Sequence, residues 1–182
     1  YVSAPKGEAE ALDLLMKIVG GGSTSRLYRK LVVEDKVASS ASGWYSGGAL
    51  DYGRLGVYAI AADGQSLDTV EAAIDGVLKD VRENGVTQAE LDRAKSTFLA
   101  DFVYESDSQN TLARRYGWAL TVGRSLADIE SWPDSVSKVT LDDIKTAAAK
   151  HLDIRHSVTG RLLPEAPETA MSAEPAQKKP RT

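Results

Sequence analysis

Metal chemistry needs ligands at workable spacing, and this chain offers few. It has two histidines, His151 and His156, and no cysteine. One helix face needs ligands at i and i+4, but these two are five residues apart. No His-x-x-Glu-His run occurs anywhere in the sequence. Without cysteine there is no thiolate-bound zinc, no thiol catalysis and no disulfide. His151 reads as a helix-terminal residue favoured by the dipole. His156 reads as a strand residue facing solvent or the helix layer. No metal ligand is expected from this chain.

Three glycines open the stretch "GGGSTSRLYRKLVVE", residues 20–34. A phosphate cradle needs Gly-x-x-x-x-Gly-Lys-Ser/Thr, so that backbone N–H groups surround phosphate while lysine balances its charge. Counting from Gly20, Gly21 or Gly22, the second glycine would fall on Ser25, Arg26 or Leu27. A dinucleotide loop needs a preceding strand, and here the pattern before the glycines is helical. The glycines read instead as a tight helix–helix turn. Serine nucleophiles lack support, because no Gly-x-Ser-x-Gly elbow is present. Asp101, Glu105 and Asp107, like Asp142 and Asp143, fall near helix ends, where carboxylates usually solvate or complement the dipole. No catalytic residue is assigned.

The densest candidate cluster is "LARRYGWAL", residues 112–120. Arg114, Arg115, Tyr116 and Trp118 on one helix would suit a peptide carboxylate or an acidic partner. The plainer reading turns Leu112, Tyr116, Ala119 and Leu120 inward and lets the arginines snorkel outward. Both readings stand at this stage.

The elements that would position these residues follow from periodicity and capping. Residues 8–19 place Ala11, Leu14, Leu15 and Ile18 on one helical face. A second helix is predicted over 24–34, capped by Ser23 or Thr24. Residues 36–45 and 54–62 read as a β-hairpin around the glycine-rich "SGGALDYG". Helical spacing returns over 67–84. Asn84 and Gly85 stop that helix, and Thr87 with Glu90 forms a capping box for the next, which is predicted to bury Leu91, Ala94, Phe98, Phe102 and Val103. Helices follow over 108–123 and 125–139, the latter broken at Trp132 and Pro133. Another is capped by Thr140 with Asp143. Residues 155–163 read as a last strand, and 164–182, rich in Pro, Ala, Glu and Lys, as a disordered tail. This order predicts one α+β domain over residues 1–163 with an antiparallel sheet. A three-stranded sheet is thin cover for so many helices, so further strands are expected before Tyr1 or from another domain.

Length fits one domain of 182 residues. A net charge of −4 argues against nucleic-acid binding by bulk electrostatics. No apolar run reaches the ~20 residues of a membrane span. The chain begins with Tyr1 rather than Met, which suggests a fragment or a processed chain.

Taken in order, "GGGSTSRLYRKLVVEDKVASSASGWY", "GRLGVYAIA" and "GVTQAELDRAKSTFLADFVY" resemble the C-terminal half of the insulinase/pitrilysin zinc metallopeptidases, the group that includes mitochondrial processing peptidase. The resemblance runs from about Gly7 to Leu163. It implies one of two similar α+β halves, each a mainly antiparallel sheet covered by helices on one side. In that family the N-terminal half carries zinc on His-x-x-Glu-His and a distant glutamate. Zinc and the motif glutamate activate water against the peptide carbonyl. The C-terminal half lacks that motif, closes the substrate chamber and helps hold the peptide.

One departure follows from the same resemblance. Many C-terminal halves carry an arginine and, seven residues later, a tyrosine that assist the zinc site across the chamber. The matching positions here are Val32 and Ser39. The resemblance therefore points to bacterial paired systems, in which a homologous partner subunit supplies that pair. It implies a zinc-bearing parent with no cofactor in this part. Its partners would be the N-terminal half, the homologous subunit and a peptide substrate. Ser39, Arg114, Arg115 and Tyr116 are the candidate substrate contacts. The alternative is a peptide-binding or assembly module of an inactive homologue. Relatives of this type are often exported, so a periplasmic address is the expectation and the cytoplasm the alternative.

Overall fold

The computed structural model describes residues 7–49 and 51–163. The expected tail over 164–182 lies outside them. Helix α1, Glu8–Gly20, is the centre of the molecule. Leu12, Leu14, Leu15, Met16, Ile18 and Val19 are all buried, so its apolar surface is wider than the single face predicted. A helix apolar on nearly every side must be enclosed. Here strand β1 (Ala38–Ser46) covers one side, and helices α4 (Gln88–Glu105), α7 (Trp132–Lys138) and α8 (Leu141–His151) pack on the others.

Strands β1 (Ala38–Ser46) and β2 (Arg54–Ala61) form an antiparallel hairpin. Ala41 pairs with Ala59 and Gly43 with Val57, while a register shift between Ala38 and Ser40 makes Ser39 the extra residue of a bulge. The helices lie against one side of this hairpin, and on the other Trp44, Tyr58 and Ile60 are exposed. The α+β class and the helix-covered antiparallel sheet are as expected, but the sheet is smaller. The strand predicted over 155–163 is a short turn at Ile154–His156 followed by chain with no ladder partner among the described residues. Its apolar residues Val158 and Leu162 are exposed. Side-chain type favoured a strand there, but a strand also needs an edge to pair with.

The glycine run joins α1 to the next helix, as expected, and also lets the helix approach the hairpin. A side chain on Gly20 would meet the backbone of Gly43 at 2.1 Å, so this residue lets α1 touch β1. Gly22 takes φ +90°, the left-handed region glycine tolerates. The next helix is capped by Ser25, whose hydroxyl accepts from the Tyr28 amide, rather than by Ser23 or Thr24. That helix, α2 (Arg26–Tyr28), widens into a π-helical turn over Arg29–Glu34, where the Asp35 amide reaches back five residues to the Lys30 carbonyl. Leu27 and Leu31 are fully buried and fasten this segment to the core. Lys36, at φ +54°, turns the chain into β1.

Helices α3 (Leu67–Asn84) and α4 (Gln88–Glu105) follow, separated by Gly85 at φ +75°. The predicted capping box is present: Glu90 accepts from the Thr87 amide at 2.8 Å. Then come α5 (Gln109–Thr121), α6 (Leu126–Glu130), α7 (Trp132–Lys138) and α8 (Leu141–His151). Thr140 and Asp143 cap α8 as the sequence indicates. Val103, expected inside, is 66% exposed, because the end of α4 runs past the core.

Candidate functional site

Beyond the core, the ends of α4 and α5 and the α6–α7 corner enclose a cleft of about 390 Å³. Its wall is aromatic. Phe98 and Phe102, one turn apart on α4, both meet Trp132 at the start of α7, with ring centroids 5.9 and 5.6 Å apart. Phe102 and Trp132 are stacked. The aromatic edges and faces that line such a cleft suit apolar groups. Pro133 in the first turn of α7 supports the helix start that presents Trp132.

The rim is charged and internally paired. Arg115 bonds Glu105 and lies over the Phe102 ring, 4.3 Å from its centroid. Lys17 from α1 lies 5.4 Å from the Phe98 centroid and 3.8 Å from Asp101. Trp118 donates its indole N–H to the Gly48 carbonyl at 2.7 Å, tying α5 to the β1–β2 loop. A second, more open depression on α5 shares Glu105, Arg115 and Trp118 with the first and adds Asn110, Thr111 and Arg114.

The candidate residues divide accordingly. Arg115 lines both depressions and Arg114 the more open one alone, whereas Tyr116, on the same helix, lines neither. Arg115 is half-buried and Arg114 exposed. The inward set is narrower than expected: Ala119 is buried, Leu112 and Tyr116 are half-buried, and Leu120 is 52% exposed. Ser39 stands apart on β1, in the bulge, and its hydroxyl donates to the Ile60 carbonyl at 3.3 Å. Val32, in the π-helical turn, packs against the core. Sequence reasoning missed Gly48 and the wall role of Phe98 and Phe102. Their spacing of four on one helix was the available signal.

Neither histidine joins the cleft. His151 ends α8 with a side chain only 10% exposed, and its Nε2 meets Glu8 on α1. Lys150 bonds the same carboxylate at 2.7 Å. Burial would raise Glu8, but the bonds from Lys150 and His151 outweigh it and hold the carboxyl below its ordinary value. His156 is exposed, in a turn rather than a strand. No group of three or more His, Asp or Glu suited to a metal occurs among the described residues. On α1, burial and the neighbouring Glu10 push the Asp13 carboxyl up to about 7, against the pull of Arg124 at the cleft. No helix among the described residues is long and apolar enough to cross a membrane.

The family described as the peptidase M16 inactive domain matches residues 2–98, the span running from the α1 approach through the first turns of α4. The chain belongs to this family. Among the relatives of the M16 inactive domain, an uncharacterized zinc protease of Mycobacterium tuberculosis is 31% identical over 145 residues, 78% of this chain and 32% of that protein. An uncharacterized zinc protease of Streptomyces coelicolor is 28% identical over 149 residues, 82% of this chain and 32% of that protein. The M16 inactive domain thus spans about a third of the length of these relatives. The crystal structure of an inactive peptidase domain from Bordetella parapertussis has the same fold, with a TM-score of 0.79 at 22% identity, over 90% of this chain and 87% of that one.

Proposed function

We propose that this chain is the non-catalytic domain of a zinc-dependent metalloendopeptidase, in which it closes the substrate chamber, contributes to peptide binding and contacts another subunit. The observation that carries the reading is the match to the M16 inactive domain over residues 2–98. The names of the relatives, zinc proteases matched over 32% of their length, support a zinc-bearing half elsewhere in the parent protein. The residues here agree with a supporting part. Val32 and Ser39 carry neither a guanidinium nor a phenol at the positions where the family resemblance expects them. A homologous partner subunit would then supply those groups, and zinc-bound water in the other half would attack the peptide carbonyl.

Within this domain, Arg114 and Arg115 on α5 are the proposed substrate contacts, with Ser39 and Tyr116 more peripheral. Two arginines beside an aromatic cleft can hold a peptide through both charge and apolar burial. The test is direct. The purified 182-residue chain should hold no zinc by elemental analysis and should cleave no casein or peptide library. The longer parent protein, given a homologous partner, should cleave in a chelator-sensitive way. Chelator-sensitive cleavage by the 182-residue chain alone would overturn the proposal. A parent sequence lacking His-x-x-Glu-His would instead favour an assembly module.

A further inference from the structure

The two depressions on α5 differ in chemistry and share a wall. Of the charges lining the aromatic cleft, Arg115 pairs with Glu105 and Asp101 with Lys17, Asp128 accepts from the Ser125 hydroxyl, and Arg124 lies near enough to Asp13 to pull its carboxyl down. Its volume of about 390 Å³ falls within the range of small-ligand pockets, and stacked Phe102 and Trp132 line it. A bulky apolar group fits there, against the wall formed by Phe98, Phe102 and Trp132.

The neighbouring depression is different. Arg114 lines it and has no acidic partner among the described residues. Asn110 beside it offers an amide donor. Arginine presents a planar fork of donors that matches a carboxylate. The site therefore complements an anion on one side of the Arg115–Glu105 pair and an apolar side chain on the other.

The C-terminal residue of a peptide has that arrangement: a free carboxylate on the same Cα as its side chain. We infer that α5 and the aromatic cleft bind the C-terminal residue of peptides that end in a bulky apolar side chain. Arg114 takes the carboxylate, and the wall of Phe98, Phe102 and Trp132 takes the side chain. The inference rests on the peptide-contact role proposed above and names its substrate class. Hydrolysis of a peptide bond creates a new C-terminal carboxylate, so the site would hold a product of the parent's reaction or a peptide near its natural end.

The test uses fluorescein-labelled Ala-Ala-Ala-Ala-Phe with a free carboxylate, the same peptide as a C-terminal amide, and Ala-Ala-Ala-Ala-Ser with a free carboxylate. Fluorescence anisotropy with the 182-residue chain reads the affinities. The Phe acid should bind about tenfold or more tightly than the amide, and about tenfold or more tightly than the Ser acid. Arg114→Gln should remove the preference for acid over amide while the melting temperature stays unchanged. Equal binding of all three peptides would overturn the inference and leave the general peptide-contact role standing. An unaltered acid preference in Arg114→Gln would overturn the role of Arg114. No binding of any peptide would overturn both the inference and the peptide-contact role.

Discussion

Arg26 and Glu90 meet as a two-pronged ion pair: Nε and Nη2 of the arginine each donate to one carboxylate oxygen at 2.8 Å. The pair joins the start of α2 to the capping box of α4, and Asp80 of α3 accepts a third bond from the same guanidinium at 2.9 Å. Three helices are thus held at one point, with Arg26 lying 54 and 64 residues from its two partners.

This pair makes stability depend on acid. The Arg26 hydrogen bonds, reinforced by Thr87 and opposed by burial, lower the Glu90 carboxyl to about 2. An unfolded glutamate titrates near 4.3. Folding therefore favours the ionised form, so the contribution is full above the unfolded value and fades as pH falls toward 2. Arg26→Gln should lower stability by about 2 kcal/mol at pH 7 and by much less at pH 2.5. Urea midpoints at both pH values check this; an equal loss at each would refute it.

Asp13 should act in the opposite sense. Its folded carboxyl titrates at about 7, above the ordinary aspartate value of 3.8. The unfolded chain then loses its proton first, and stability falls as pH rises from about 4 through 7. Asp13→Asn should gain roughly 1–2 kcal/mol at pH 8 and nothing at pH 4. Glu10, Arg124 and Tyr45 surround the group. Thermal melts across that range would expose a wrong sign at once.

The approach of α1 to β1 should tolerate no methyl on the helix side. A Cβ on Gly20 would lie 2.1 and 2.3 Å from backbone atoms of Gly43. Gly20→Ala should cost about 3 kcal/mol or more. A Cβ on Gly43 meets the movable methyl of Met16 at 2.7 Å and the Val57 side chain at 3.1 Å, so Gly43→Ala should cost less. Equilibrium denaturation of the two variants side by side tests the order.

Lys36 holds φ +54°, which most side chains avoid. Lys36→Gly should leave stability unchanged or raise it by about 1 kcal/mol, and Lys36→Val should lower it by about as much. The melting temperatures of the three proteins decide this.

Much of the fold was legible because local signals agreed with it. Thr87 with Glu90 and Thr140 with Asp143 are complete capping boxes, and both start helices where expected. The hairpin also followed from its residues. What escaped depended on contacts distant in sequence. Residues 155–163 have strand chemistry, but no ladder partner for them lies among the described residues. The Ser25 cap lay one residue beyond the two candidates, and only the turn at Gly22 decides between them. Arg114 and Arg115 were identifiable as a cluster. The cleft beside them was not, since it needs Trp132 brought back over Phe98 and Phe102. The bond from His151 to Glu8 joins the last long helix to the first, and nothing in local spacing announces it.

The contact between Gly20 and Gly43 has a consequence for how this sequence can drift. The two positions face the same narrow gap from opposite sides, but only one of them borders a side chain able to swing away. Substitution is therefore expected to enter through position 43, accompanied by a smaller residue at 16. Position 20 stays closed until the helix itself has moved off the strand. Ancestry along this surface should have a preferred order of steps.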